Sequence, residues 1–298
     1  MNGRSLKPAL VLVFALGLVA SACSSGPRLD AVITSVTTAQ GWIDSGQDAK
    51  IVGEPLFYEP LAAAFDKSAS LDASGLADAV SGIVVEMHQD GTLTDMSMQW
   101  YGIDLSEGPY DTSATPPAEP VCENTDASGD LLADVCQRGE IVVSTDPAYP
   151  PQSSLNEETN EYEGFDIDVA TEIANGLGVK VGWEAPAWDT IIAGSWNGRW
   201  DMSVGSMTVT TERADVLYFT PAYYFTPAVV IVRGDDEEVK DVTTDLDGKK
   251  VGVCGGCTYD YFLQKTLEIP GYTFDFVIDD AEIKTYPTDT DALQDLNI

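Results

Sequence analysis

Apolar residues follow two different spacings along this chain, and the two spacings alternate. Residues 140–145 form a continuous apolar run with β-branched side chains, which predicts a strand buried on both faces. Apolar side chains then recur at every fourth position of residues 165–177, which predicts an amphipathic helix that Gly178 ends. Similar patterns predict a helix over 76–87 and strands at 31–34, 179–183, 202–206, 229–232 and 250–253. This alternation is typical of an α/β fold.

The two ends of the chain carry patterns that complement each other. Residues 292–298 have the pattern of a helix that should lead into a strand, and residues 28–33 have the pattern of that strand. We therefore expect the two ends to be neighbours in space and to belong to one folded unit.

One internal segment, residues 104–129, has no apolar period. It is rich in proline, serine, threonine and acidic residues. Such a composition supplies too little apolar surface for a packed core. We expect this segment to be a tether between folded parts.

The first residues have the features of an export signal. Arg4 and Lys7 precede an apolar stretch, residues 9–22, that is too short to span a bilayer of roughly 30 Å as a helix. Small residues then lead directly to Cys23, which resembles a lipoprotein processing site. We expect residues 1–22 to be a signal peptide, Cys23 to be acylated and residues 23–27 to be a short anchor stub. The alternative is ordinary secretory cleavage with a free Cys23.

The cysteine count agrees with export. The chain has five cysteines, and a lipidated Cys23 leaves four in an oxidising setting, where disulfides persist. Three pairings are possible, and the pairs Cys122–Cys136 and Cys254–Cys257 close the shortest loops. A thioredoxin-type redox pair or a zinc site is disfavoured, because there is no second CxxC motif and His88 is the single histidine. We predict two structural disulfides, no metal and no cofactor.

The charge of the chain excludes one class of partner. Fifteen Lys and Arg stand against 49 Asp and Glu, a formal charge of −34 at pH 7. A nucleic acid would be repelled at long range, and the sequence has no basic cluster to offset this. Such a charge favours a soluble monomer. The length and the 44% hydrophobic content allow about two domains with sizeable cores.

Five sequence blocks carry a resemblance to a known family. STDPAYPP, GFDIDVA, WDTII, WDMSVGSMTVTTER and YFTPAYY, which begin at residues 144, 164, 188, 200 and 218, resemble the family 3 extracellular solute-binding proteins, the polar amino-acid receptors of ABC importers. The match continues through 248–259 and then resumes at 28–32, 52–62 and 90–102. The chain thus resembles the family in circularly permuted order. A natural rearrangement, a designed one and a sequence-assembly error all produce such an order.

The resemblance implies a two-lobed α/β clamshell of the type II periplasmic-binding-protein kind, with two hinge strands near 56–65 and 228–233. Lobe one would comprise residues 53–103 and 130–232, each part including one hinge strand. Lobe two would comprise residues 28–52 and 236–298, and residues 104–129 would be the tether.

The resemblance also implies the ligand site. Arg213 matches the family arginine that clamps the ligand carboxylate with two parallel N–H groups, and Thr258 matches the position that reaches this carboxylate from lobe two. The alternative for Arg213 is an ordinary surface arginine. Tyr149 and Trp188 match the aromatic pair around the ligand side chain, and Asp146 matches an acid that contacts its distal polar groups. The same motifs bring the further candidates Gly205, Ser206, Thr208, Cys254, Gly256 and Cys257.

One position departs from the family. The aspartate that accepts the α-ammonium, five residues after the Asp-Ala of a lobe-two strand, is Ser35 here. Three alternatives follow: Glu59 on the hinge strand compensates, Asp146 compensates, or the ligand is a carboxylate without a standard α-amino group.

The function that the resemblance implies is capture of an amino acid or related small carboxylate by hinge closure. The protein would be a monomeric lipoprotein on the outer face of the cytoplasmic membrane and would deliver its ligand to an ABC importer permease, without catalysis. The first alternative is a cyclohexadienyl-dehydratase-like enzyme with Glu59 as acid or base, since we expect His88 to be exposed. The second is a sensory ligand-binding domain.

Overall fold

A computed structural model describes residues 28–109, 111–117, 120–124 and 129–296. The predicted signal peptide and the whole anchor stub, residues 23–27 with the Cys23 lipidation site, lie outside the described residues, as do the last two residues of the chain. Within these ranges, no helix has the length and apolar character that a membrane crossing requires.

The secondary structure follows the apolar pattern. The strands are β1 Ala31–Ser35, β2 Ala49–Asp66, β3 Glu140–Ser144, β4 Ala148–Tyr149, β5 Ser153–Asn156, β6 Glu161–Glu163, β7 Lys180–Glu184, β8 Met202–Thr208, β9 Leu217–Phe219, β10 Tyr224–Arg233, β11 Lys250–Cys254 and β12 Glu282–Tyr286. The helices are α1 Val36–Asp44, α2 Ser74–Gln89, α3 Thr92–Tyr101, α4 Leu131–Arg138, α5 Phe165–Leu177, α6 Trp188–Ile192, α7 Thr211–Val216, α8 Thr258–Leu263 and α9 Asp289–Leu296. Each predicted helix and strand is present.

Helix α5 shows why the pattern is informative. Its residues at fourfold spacing, from Phe165 to Leu177, are fully buried in the core. Gly178 follows with a φ of +81°, a left-handed conformation that ends the helix and that glycine adopts without a Cβ clash. The prediction for residues 165–177 is confirmed.

One sheet runs through the molecule in the order β12-β11-β1-β10-β2-β8-β3-β7, with β9 paired to β2. Its two outer parts are parallel: β12, β11 and β1 on one side, and β8, β3 and β7 on the other. Strands β10 and β2 lie between them and pair antiparallel to each other. The two parallel parts are therefore joined through two long central strands.

The core divides into two bodies along these central strands. Strand β2 contributes Phe57 to the core that surrounds β1 and β11, and it contributes Leu61 and Phe65 to the core that surrounds β3 and β8. Strand β10 does the same with Val230 and Tyr224, and the register of the pair shifts in between. We call the body around β3 and β8 lobe one and the body around β1 and β11 lobe two. The fold is the two-lobed α/β arrangement that the sequence predicted.

The two ends of the described chain meet in lobe two. Leu29, just before β1, and Leu296, at the end of α9, pack in the same buried cluster with Val32 and Leu293. The Arg233 guanidinium donates hydrogen bonds to the carbonyls of both Leu29 and Leu296. The neighbourhood of the chain ends, which the apolar pattern predicted, is therefore present up to residue 296.

The segment that the composition marked as a tether has few regular elements, but part of it is packed. The Leu105 carbonyl accepts a hydrogen bond from the Phe225 N–H at 2.8 Å, and Ser106 is buried. Further along, Thr115 lies against Gly82 of α2. Contacts at Leu105, Ser106 and Thr115 thus hold parts of this segment on lobe one although it lacks an apolar period.

Both predicted cysteine pairs are bonded. Cys122 and Cys136 have Cα atoms 5.1 Å apart and join a short 3₁₀ turn, Val121–Asn124, to α4. Cys254 and Cys257 have Cα atoms 5.4 Å apart and bracket the loop between β11 and α8. The second pair therefore restrains a loop at the edge where the two lobes face each other.

Candidate functional site

A cleft lies between the lobes at the carboxyl ends of the parallel strands. Residues after β3, at the end of β8, at the end of β11 and after β12 all reach it, because the carboxyl ends of parallel strands open on one edge of a sheet. The cleft is lined by these sequence-predicted residues: Glu59, Asp146, Tyr149, Trp188, Gly205, Ser206, Thr208, Arg213, Cys254, Cys257 and Thr258. It is also lined by residues that sequence reasoning missed: Thr145, Ile191, Tyr259, Pro287, Thr288 and Asp289.

Arg213 is the cation of the cleft. It lies on α7, whose N-cap Thr210 accepts a hydrogen bond from the Arg213 N–H, and only 3% of its surface is exposed. Nη1 donates to the Thr208 carbonyl at 3.0 Å and Nη2 to the Gly256 carbonyl at 2.9 Å, so the guanidinium joins the two lobes. Its Nε is buried without a partner. Burial lowers the pKa of Arg213 to about 10, which leaves it cationic at pH 7.

Two aromatic residues line the cleft, and one of them packs on the Arg213 guanidinium. The Arg213 guanidinium carbon lies 4.9 Å from the centre of the Trp188 ring, within the range of a cation–π contact. Tyr149 lines the cleft from β4 and its hydroxyl donates to the Ser35 Oγ at 3.3 Å. The structure thus brings both sequence-predicted aromatics into one site.

Glu59 lies at the centre, on the crossing strand β2. It is 2% exposed, and its Oε1 accepts hydrogen bonds from the hydroxyls of Thr208 in lobe one, at 2.8 Å, and Thr258 in lobe two. Burial raises the pKa of Glu59, although these hydrogen bonds and the nearby Arg213 oppose the rise. The Thr258 hydroxyl, which the resemblance assigned to the ligand, is therefore bonded to Glu59.

Ser35 does not line the cleft. It caps α1, where its Oγ accepts from the Thr38 N–H at 3.2 Å, and it is fully buried behind Tyr149. The buried amide of Gln152 donates to its Oγ at 3.2 Å and to the Thr37 Oγ1 at 2.7 Å. The structure corrects the assignment of Ser35 as a cleft residue, because the hydroxyl is used in this network between the lobes.

Gly256, which the resemblance also assigned to the site, is not among the lining residues but contacts two of them through its carbonyl. Its carbonyl accepts from Arg213 and, at 3.5 Å, from the Trp188 Nε1. With a φ of +71°, it turns the chain in a left-handed conformation between the two bonded cysteines.

A buried carboxyl supports the cleft wall at Ser206. Asp166 accepts hydrogen bonds from the Ser206 Oγ at 2.7 Å and the Tyr223 hydroxyl at 2.9 Å, and Tyr224 donates to the Ser206 Oγ at 2.7 Å. Burial raises the pKa of Asp166 to about 7. Sequence reasoning included Asp166 in the GFDIDVA block but gave it no role, because an acid in the first turn of a helix is ordinarily a stabilising surface residue.

Asp289 is the second missed carboxyl. It begins α9, is 5% exposed and lines the cleft, and its Oδ1 has no hydrogen-bond partner. Burial raises the pKa of Asp289 to about 8. The Thr34 hydroxyl opposes this rise, and the neighbouring Glu59 and Asp146 add to it. The sequence around it, TDTD, is what any helix amino terminus can carry. It therefore contained no functional signal.

His88 lies away from the cleft, at the end of α2. It is half-buried, and its Nε2 donates to the Ala222 carbonyl at 2.8 Å. The expectation that His88 is exposed is wrong, because the loop before β10 covers it.

We expect the ligand-free protein to lose stability as the pH rises from about 4 towards 8. Unfolded aspartates ionise near pH 3.8, whereas Asp166 and Asp289 hold their protons to about 7 and about 8 in the folded state. The folded state then binds more protons than the unfolded state, so the free energy of unfolding falls with pH. Urea titrations at pH 5 and pH 8 measure this fall. The decrease in the free energy of unfolding between pH 5 and pH 8 should be smaller in Asp289→Asn than in the natural protein. An equal decrease in the two proteins would contradict the raised pKa of Asp289.

Comparison with known proteins agrees with the geometry. The family model of the bacterial extracellular solute-binding proteins, family 3, matches residues 141–297. The L-cystine-binding protein TcyA of Bacillus subtilis (strain 168) is 33% identical over 121 residues, which cover 41% of this chain and 44% of that protein. The L-arginine-binding protein of Pseudomonas aeruginosa is 30% identical over 156 residues, 52% of this chain and 56% of that protein.

Solved structures are also similar in part. The arginine-bound form of truncated ArgBP from T. maritima is 27% identical, with a TM-score of 0.45 over 55% of this chain and 71% of that chain. This chain spans about half the length of the curated relatives it matches. Since the family model covers more than half of the sequence, the chain belongs to the bacterial extracellular solute-binding proteins, family 3.

Proposed function

We propose that this protein is an extracytoplasmic receptor that binds an amino acid or related small carboxylate between its lobes and delivers it to an ABC importer. The observation that carries the proposal is the buried Arg213 guanidinium, which faces the cleft with Nε unpartnered. A planar guanidinium binds a carboxylate with two parallel, charge-assisted hydrogen bonds. The curated relatives described above are named as amino-acid-binding proteins.

The cleft suits a small ligand with a polar end and an apolar body. Arg213 would take the carboxylate, and Trp188 and Tyr149 would contact the ligand side chain. A ligand carboxylate would replace one of the two carbonyls that Arg213 now contacts, Thr208 in lobe one or Gly256 in lobe two. Exchange of a neutral acceptor for a charged one strengthens the hydrogen bond.

Closure of the lobes would be the signal that a permease recognises. Residues of both lobes already meet at Arg213 and Gly256, and again where the Thr290 hydroxyl donates to the Ala148 carbonyl at 2.7 Å. A ligand shifts an open–closed equilibrium by its differential affinity for the two states. A ligand that contacts both sides of the cleft binds the closed state better and so favours it.

Replacement of Arg213 by alanine should abolish or greatly weaken binding. Removal of one partner of a buried charge pair costs about 2–5 kcal/mol. A thermal-shift screen of amino acids and small carboxylates identifies a ligand, and calorimetry then compares the variant with the natural protein. Mass spectrometry should recover that ligand unchanged, as expected of binding without catalysis.

Arg199→Ala is the matched control. Its guanidinium carbon lies 4.6 Å from the Trp200 ring, much as Arg213 lies on Trp188, but Arg199 does not line the cleft. Its variant should bind as tightly as the natural protein. Equal affinity of the Arg213 and Arg199 variants would remove the central argument for this function.

We also propose that Cys23 carries the lipid that holds the receptor on the outer face of the cytoplasmic membrane. The support is the apolar stretch of residues 9–22 followed by small residues and Cys23. Each buried methylene of an acyl chain contributes about 0.8 kcal/mol. In the cell, the natural protein should sediment with membranes and Cys23→Ser should be released. A membrane-bound Cys23→Ser protein would contradict acylation at this residue.

The order of the segments is, in our proposal, a circular permutation of the family order. The family match ends at residue 297, whereas β1 lies between β11 and β10 and β2 lies between β10 and β8. Residues 28–52 would then complete lobe two beside 236–298. Residues 53–103 would complete lobe one beside 130–232, and 104–129 would be the connection.

A reordered gene tests the permutation. It encodes residues 120–298, which keep the Cys122–Cys136 disulfide, followed directly by residues 28–103, and so restores the proposed family order. Since Leu29 and Leu296 pack in one cluster, the new junction should form without strain. The product should have the circular dichroism spectrum of the natural protein and bind the same ligand. A product that fails to fold would speak against this order.

A further inference from the structure

If the ligand is an amino acid, its ammonium group needs a negatively charged partner in the cleft. The residue at the position that the family resemblance assigns to this role is uncharged. Ser35 stands at that position, and its hydroxyl lies behind Tyr149 in a network with Gln152 and Thr37. A neutral, buried hydroxyl that is already bonded cannot balance a cation. Another group must do so if the ligand is an amino acid.

Three carboxyl groups line the cleft, and two of them are engaged. Glu59 accepts the hydroxyls of Thr208 and Thr258 through Oε1. Asp146 accepts the Ala148 N–H through Oδ1 at 2.8 Å. Asp289 differs, because its buried Oδ1 makes no hydrogen bond of normal geometry, and the buried Thr34 hydroxyl beside it makes none either, although it lies near enough to oppose the rise in the pKa of Asp289. A buried acceptor that makes no hydrogen bond is costly, so an unpartnered one in a cleft indicates a missing donor.

The position of Asp289 places this acceptor opposite lobe one. The next residue on α9, Thr290, donates its hydroxyl to the Ala148 carbonyl at 2.7 Å. This contact holds the start of α9 against the loop that carries Asp146, and the two carboxyls are near enough to raise the pKa of Asp289. A cation between them would be contacted from both lobes.

The charges of the cleft agree with this placement. Arg213 is the single Lys or Arg among the described lining residues, whereas Glu59, Asp146 and Asp289 are acidic. A ligand with one carboxylate satisfies Arg213 and leaves the acidic groups to be balanced. A second ligand carboxylate that no ammonium group of the ligand balances adds to the repulsion.

We infer that Asp289 binds the ammonium group of the ligand, with Asp146 facing it across the cleft. The ligand class is then an α-amino acid whose side chain is neutral overall or cationic. Acidic amino acids and dicarboxylates without amino groups are excluded, because they carry more carboxylates than ammonium groups. This inference rests on the proposed receptor function and adds its specificity-determining residue.

Proton release is a consequence of this arrangement. In the empty cleft the pKa of Asp289 is about 8, raised by burial and by the nearby acids, so this carboxyl is mostly protonated at pH 7. An ammonium group favours the ionised form, and binding then expels the proton. The titratable groups that face Asp289 are Glu59 on β2, Asp146 after β3, Tyr149 on β4 and Tyr259 on α8.

The experiment compares ligands with and without the ammonium group. The probes are L-arginine, L-lysine, L-alanine, L-cystine and L-glutamate, and the des-amino analogue of the tightest binder, which for L-lysine is 6-aminohexanoate. Asp289→Asn keeps the shape of the side chain. It should lower the affinity for the amino-acid probe by about 30-fold or more, as expected when a buried charge loses its partner. The des-amino analogue should bind both proteins alike, and L-glutamate should bind neither.

Asp295→Asn is the matched control on the same helix. Asp295 accepts from the Tyr286 hydroxyl and does not line the cleft, so its variant should bind every probe like the natural protein.

The outcomes of this experiment distinguish failure of the receptor function from failure of the role of Asp289. If the natural protein binds none of the probes, the receptor function fails. If it binds an amino acid and Asp289→Asn binds it equally well, only the role of Asp289 fails.

A second measurement needs no variant. Calorimetry of the natural protein at pH 7 in phosphate and in Tris, whose ionisation enthalpies differ, counts the protons exchanged on binding. Release of nearly one proton with an amino-acid probe, and of far less with its des-amino analogue, is the expected result. Equal proton release with both probes would overturn the inference even if Asp289→Asn did not fold.

Discussion

The structure depends on how one buried guanidinium is satisfied between two lobes. Arg213 is almost fully buried, and a buried charge is tolerated only when polar groups surround it. Two of its nitrogens reach carbonyls, Thr208 in one lobe and Gly256 in the other, while Nε has no partner. The cleft therefore stabilises the cation incompletely, and a carboxylate is the chemical group that would best complete it.

The crossing strand β2 links the two lobes to the site, because it carries a site residue. Strand β2 carries Glu59 where the strand passes from one core to the other, and Glu59 accepts a hydroxyl from each lobe. Any rotation of the lobes must therefore change the contacts of a buried carboxyl. In the proposed receptor, this arrangement would couple ligand binding to a rotation of the lobes.

The chain's own groups also form hydrogen bonds between the lobes. The buried Gln152 amide donates a hydrogen bond to the Thr37 hydroxyl in the first turn of α1. At the start of α9, the Thr290 hydroxyl donates to the Ala148 carbonyl. These hydrogen bonds stabilise the arrangement of the two lobes. In the proposed receptor, a ligand would then supply the remaining balance of charge, at Arg213 and at the three acidic residues of the cleft.

The sequence by itself determined the α/β class, the limits of α5 and the strands, both cysteine pairs and most of the cleft wall. Periodicity is a local property, and motif residues such as Arg213 and Trp188 keep their place relative to nearby elements. Only the tertiary structure decided that Ser35 lies behind Tyr149, that Gln152 joins the lobes and that Asp289 faces the cleft. The physical reason is that a cleft is formed where loops distant in sequence meet. Whether an acid at the start of a helix is in water or buried beside other acids depends on packing that no local pattern encodes.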